Sequence, residues 1–230
     1  MLFREEDEDL EVLPFADRAE AGRILAGNLS AYSGRKDVIV LGLPRGGVPV
    51  ASTVAAALQA PLDVFVVCKL GTPRNRELAM GALAEGGVQV LDLSIVKKLC
   101  VSEADILEVT AAAHQQLETR QALYRGDRLP LGVTGKTVIL VDDGIATGCS
   151  TLAAIAAIRR REAARVVVAV PVASASGCSA IRMEADEVIS MVEPEMFLAV
   201  SQWYEDFPQI SDEAVCHLLE ASAGSAPRAA

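Results

Sequence analysis

Residues 137–151 read TVILVDDGIATGCST. An apolar run ends on two adjacent carboxylates, Asp142 and Asp143, and a turn holding Gly144 and Gly148 leads to Ser150 and Thr151. A buried strand ending this way carries both acids to its carboxyl edge, and the hydroxyl residues open a helix. Unpaired N–H groups in a helix's first turn, backed by its dipole, attract phosphate. Gly148 lets the backbone approach such an anion closely, and the hydroxyls add donors. Two carboxylates beside a phosphate repel it unless something intervenes. The vicinal hydroxyls of a ribose resolve the conflict, and so does a bound magnesium ion. A strand-ending turn accounts for Asp-Asp-Gly alone but not for the whole run from Val138 to Thr151.

A second anion site follows an earlier apolar run, where Leu43-Pro44-Arg45-Gly46-Gly47 sets a guanidinium beside two glycines with open N–H groups. A tight turn with a solvated arginine is the competing reading. Lys69 ends the next run, either as a cation at the same edge or as a lysine whose stem lies along the strand. Phe197 and Trp203 belong to a late aromatic cluster. They either stack on a flat ligand or pin the C-terminal segment to the core.

Placing these groups together requires a particular scaffold. Apolar, β-branched runs at 38–43, 62–68, 137–141, 165–170 and 187–192 lack in/out alternation, as strands covered on both faces do. Helical stretches fill the gaps at 17–32, 47–59, 94–124, 149–161 and 174–184, the first with Asp17 as N-cap. The alternation predicts an α/β fold, a doubly wound parallel sheet flanked by helices, whose ligands bind at the strands' carboxyl ends. One domain spans 15–220, with a helical insertion at about 94–124 and a hood at about 193–212. The acidic segment 1–14 and the tail 221–230 read as loosely ordered ends. Residues 69–93 are too irregular for a simple crossover and suit a lid.

The 230 residues carry a formal net charge of -10, which disfavours nucleic acid and anionic membranes as partners. No run of about 18 apolar residues suggests a membrane span. The acidic N-terminus is unlike a secretory signal, and Cys68, Cys100, Cys149, Cys178 and Cys216 form no CxxC pair. A cytoplasmic location with free thiols is the expectation.

The 137–151 segment resembles the 5-phosphoribosyl-1-diphosphate (PRPP) motif of type I phosphoribosyltransferases. The likeness runs from Phe15-Ala-Asp-Arg-Ala to Trp203-Tyr-Glu-Asp-Phe and Asp212-Glu, in an arrangement similar to a bacterial group whose acceptor is not established. It implies that Asp142 and Asp143 hold the ribose hydroxyls. By the same resemblance Ala146, Thr147, Gly148, Cys149, Ser150 and Thr151 wrap the 5′-phosphate, and Arg45, Gly46 and Lys69 bind pyrophosphate.

Gly144 stands where the family usually has an aliphatic residue, and Cys68-Lys69 where it often has Arg-Lys, so one basic contact is missing. Gly71 to Gly81 takes the place of the family's mobile catalytic loop, with Arg74, Arg76 and Glu77 as its charged residues, although a solvated loop reads the same. Members acting on 6-oxopurines carry an acid at the position of Ala146 and a lysine on the next strand, where this chain has Val170-Pro171-Val172. The acceptor is then not a 6-oxopurine, and Glu77 is left as candidate proton acceptor. The implied function is phosphoribosyl transfer from PRPP to a nitrogenous acceptor with release of pyrophosphate. Magnesium, near Asp142 and Asp143, is the implied cofactor, and a homodimer the expected assembly. The alternative is a regulator that binds PRPP or a nucleotide without turnover.

Overall fold

The computed structural model describes Phe3–Arg4, Glu11–Val12 and residues 14–225, without the side chains of residues 3, 4, 11, 12, 76, 77, 224 and 225. Most of 1–14, and 226–230 of the expected tail, lie outside the described residues. In chain order the elements are β1 (Phe3–Arg4), β2 (Glu11–Val12), α1 (Arg18–Asn28), β3 (Val38–Gly42), α2 (Gly47–Leu58) and β4 (Leu62–Val64). There follow β5 (Val67–Thr72), β6 (Asn75–Ala84), β7 (Val88–Leu91), α3 (Leu93–Lys98), α4 (Glu103–Arg125) and β8 (Thr137–Val141). The chain continues through α5 (Cys149–Arg160), β9 (Arg165–Val172), α6 (Ala175–Arg182), β10 (Glu187–Val192) and α7 (Asp212–Ser225).

Five strands form a parallel sheet in the order β10-β9-β8-β3-β4. Period-two alternation in β3 and β8 splits their side chains between two layers. Val38, Val40, Ile139 and Val141 pack under α1 and α2, while Ile39, Leu41, Val138 and Leu140 face the α5 side. Every residue of β3 and β8 is buried, which is why neither strand shows a polar face in the sequence. From β3 the chain crosses to β4 on one side, and from β8 to β9 on the other. The loops after β3 and β8 therefore diverge and leave a crevice between adjacent strand ends, the place where open α/β sheets bind ligands.

Three expectations need correction. The run 62–68 is not one strand: β4 ends at Val64, and β5 begins a separate antiparallel sheet in the order β5-β6-β7. Both pieces are covered on both faces, so hydropathy alone could not separate them. The stretch 94–124 is two helices, because Ser102 and Asp105 form a capping box that starts α4 afresh. Residues 221–225, assigned to a loose tail, extend α7 beyond Val215 and Leu219, whose burial docks it.

A buried ionic network fastens the antiparallel sheet and α4 to the core. Arg125, 8% exposed, ion-pairs with Glu85 at 2.9 Å and with Asp63 at 3.3 Å, and donates to the Val64 carbonyl where β4 ends. Glu85 is 1% exposed; it also accepts from Val66 N at 2.8 Å and pairs with Arg161 at 3.2 Å. Asp63 accepts from Val64 N and Leu131 N. With both acids hydrogen-bonded on several sides, the desolvation of Arg125 is well compensated. Removing one partner leaves buried charge stranded. Glu85→Gln is expected to lower the unfolding free energy by about 3–5 kcal/mol, measured as the shift in urea midpoint at unchanged slope.

Candidate functional site

The crevice opens where β3 and β8 end in register, Gly42 beside Val141. Pairing continues one step further, with Leu43 N donating to Val141 O at 2.9 Å. The chain then turns through Pro44-Arg45, whose peptide bond is cis, and enters α2 at Gly47. The two glycines lie directly on the acid pair. A Cβ on Gly46 would stand 1.8 Å from Asp143 Oδ2, and one on Gly47 would stand 2.7 Å from Asp142 Cα and from Val141 O. Only glycine permits that approach.

Burial pushes the Asp142 carboxyl well above the usual carboxylate range, and the neighbouring charge of Asp143 adds to the rise, while Lys69 opposes it. Burial also raises Asp143, held back by Arg18. Arg18 Nε donates to Asp143 Oδ2 at 2.9 Å, Nη1 donates to Pro208 O, and the guanidinium lies 3.7 Å from the Phe207 ring centroid. The Tyr204 hydroxyl donates to Asp143 O at 2.6 Å. Sequence reading missed Arg18, although one signal was available: it is the first residue of α1, where a cation opposes the helix dipole and needs another reason to be present.

The loop after the acids is held to the end of β9. Ile145 N donates to Val172 O, Ser174 N donates to Ile145 O, and the Ser174 hydroxyl donates to Ala146 O. Gly148 takes φ 77°, and no side chain caps α5, so its first-turn N–H groups face the crevice loop without a side-chain acceptor. Gly144 has its own explanation: a Cβ there would stand 2.6 Å from Val200 Cγ1. The hood fills the space that a side chain at 144 would take.

The result is one cleft of about 570 Å3. Asp142, Asp143, all six expected phosphate-loop residues Ala146 to Thr151, and Arg45, Gly46 and Lys69 line it. Lys69 is the third residue of β5 rather than a strand end. Gln116 and Arg120 of α4 complete the wall, and they were not singled out in the sequence. A narrower lobe of about 320 Å3 adjoins at Lys69 and Gln116, between α4 and the β5–β6 hairpin.

Other expected residues lie elsewhere. Phe197 and Trp203 pack with Phe15, Val172 and Tyr204 instead of lining the cleft, so the hood aromatics hold the C-terminal segment to the core. The segment Gly71 to Gly81 is strand, not loop: β5 and β6 meet at a tight Pro73-Arg74 turn, with Arg74 exposed at its tip and absent from the cleft lining. The expectation failed because Pro73 and the polar run from Arg74 to Glu77 read as a loop, whereas they form the turn and the first residues of β6. Arg76 and Glu77 lie on β6, and their side chains are outside the described residues. Among the described residues no three acids, histidines or cysteines cluster to hold a metal, and no helix is long and apolar enough to cross a membrane.

The model of the phosphoribosyl transferase domain family matches residues 15–208. Two Mycobacterium tuberculosis proteins, from strains CDC 1551 / Oshkosh and H37Rv, are each 45% identical over 206 residues and are provisionally named phosphoribosyl transferases. The match covers 90% of this chain and 46% of each relative, so the chain spans about half the length of the curated relatives it matches. The crystal structure of the Thermus thermophilus protein TT1426 is 40% identical with a TM-score of 0.75, covering 90% of this chain and 98% of that one.

The acid pair has a cost that can be measured without any ligand. Its folded-state pKa values lie above those of the unfolded chain, so the unfolded state loses protons first and stability falls as pH rises through that window. Asn at 142 keeps the shape and removes this loss. Asp142→Asn is expected to melt higher than wild type at pH 7, by about 2–4 °C per kcal/mol recovered, with the gap narrowing towards pH 4.

Proposed function

Since this chain belongs to the phosphoribosyl transferase domain family, we propose that its cleft binds PRPP and transfers the phosphoribosyl group to a nitrogenous acceptor, releasing pyrophosphate. The observation that carries this reading is the meeting, at one switch point, of a half-buried acid pair, an uncapped helix start and cations from two further elements. A phosphorylated pentose diphosphate has a group for each.

The 5′-phosphate is received by the N–H groups and hydroxyls of the loop from Ala146 to Thr151. The ribose hydroxyls donate to Asp142 and Asp143, whose charge also favours the positive character that develops at the anomeric carbon. Arg45, the Gly46 N–H and Lys69 take up the growing charge on the departing diphosphate. The acceptor nitrogen forms a bond to the anomeric carbon as the carbon–oxygen bond to diphosphate breaks, and the acceptor proton passes to solvent or to a base. Glu77 remains the candidate base.

Two carboxylates, one of them already bonded to Arg18, cannot cage a cation alone. They suit magnesium that arrives on the ligand's phosphates, where it neutralises the diphosphate. Ala146 offers no acid in the phosphate loop, and Val170 and Val172 point into the core. These features support an acceptor other than a 6-oxopurine. A cytoplasmic setting belongs to the same reading.

Pyrophosphate release from PRPP and magnesium, screened across nucleobases and small amines, tests the proposal. At least one acceptor is expected to support release, and Asp143→Asn to reduce it about 100-fold or more. PRPP bound tightly, with no release for any acceptor, identifies a sensor instead.

A further inference from the structure

We propose that helix α4 is the leaving-group wall of the cleft and that Arg120 is a direct ligand of the diphosphate. The assignment rests on the PRPP reading above and adds a residue from an element that the 94–124 stretch gave no reason to place in the site.

Gln116 and Arg120 are four residues apart, on one face of α4, and both line the cleft. Arg120 Nη1 lies 4.0 Å from Cys68 Sγ, so the guanidinium sits over the residue preceding Lys69. Cys68 itself is 1% exposed and offers the cleft no charge. Arg45, Lys69 and Arg120 thus reach one cavity from three elements: the loop after β3, strand β5 and helix α4. Arg45 and Arg120 are also close enough to Tyr124 to draw its phenol down, against burial and Asp212, which push it up.

Arg120 contrasts with Arg125, five residues on. Arg125 is locked between Asp63 and Glu85, whereas Arg120 has no carboxylate within ion-pair distance among the described residues. In a chain with ten more acids than bases, a half-buried arginine left without an acid is placed to meet an anion that arrives from outside. A guanidinium grips two phosphate oxygens at once, which suits a diphosphate better than a single buried charge would. The wall is rigid, because the Arg125 network and a hydrogen bond from Tyr124 to Asp212 fix α4 just beyond Arg120.

Calorimetric titration of wild type, Arg120→Met and Arg120→Lys with magnesium pyrophosphate and, separately, with ribose 5-phosphate tests the assignment. Arg120→Met is expected to weaken pyrophosphate by about tenfold or more, with ribose 5-phosphate held within about twofold. Arg120→Lys keeps the charge and loses the fork, so it falls between the two. Unchanged pyrophosphate affinity in Arg120→Met overturns the assignment and leaves the cleft's function standing. Equal loss of both ligands overturns it too, since a disturbed cleft then explains the result. Binding of neither ligand by wild type removes the PRPP reading and the assignment together.

Discussion

Between the loop after β3 and the acids after β8 there is no room for a Cβ atom. Gly46 and Gly47 lie against Asp143 and Asp142 so closely that any side chain would occupy carboxylate space. That approach depends on two parallel strands ending in register and sending their chains to opposite sides of the sheet. It sets Arg45 and Gly46 of one loop in the same cleft as the carboxylates and helix start of the other. Strand register, crossover direction and the glycine pair form a single geometric requirement, and the cleft exists because all three are met.

The same closeness creates an electrostatic problem that the surrounding elements partly relieve. Two half-buried carboxylates stand side by side, and the charge of Asp143 adds to the cost of ionising Asp142. Arg18 answers one of them from α1 and is itself held by Pro208 and by stacking on Phe207. Tyr204 and Val200 close the same corner, the first on the Asp143 carbonyl and the second over Gly144. The C-terminal hood is thereby tied to the acid pair. The remaining imbalance is typical of a functional site, where groups are arranged for an arriving partner at some expense to the empty fold.

The central sheet was legible in the sequence because double burial leaves a continuous apolar signature. The strands at 137–141 and 187–192 fall on their expected bounds. The same signature concealed the break between β4 and β5, since Phe65 and Val66 are as apolar as their neighbours and only Asp63 hinted at a buried partner. The cleft-lining residues 142–151, and Arg45 with the glycines after it, were legible because their pattern is local in the chain. Gln116 and Arg120, which line the cleft, and Arg18, which holds Asp143, were not, because tertiary packing of distant helices brings them there. Phe197 and Trp203 show the reverse error: aromatic clustering marks burial as readily as it marks ligand stacking.

Comparing PRPP binding by wild type and Gly46→Ala, with magnesium present and folding verified by melting, tests this account most directly. The three atoms nearest the added methyl all belong to the Asp143 carboxylate. The account predicts that wild type binds and that the variant, though folded, loses about tenfold or more in affinity. Equal affinities, or a wild type that gives no heat with PRPP, would contradict it.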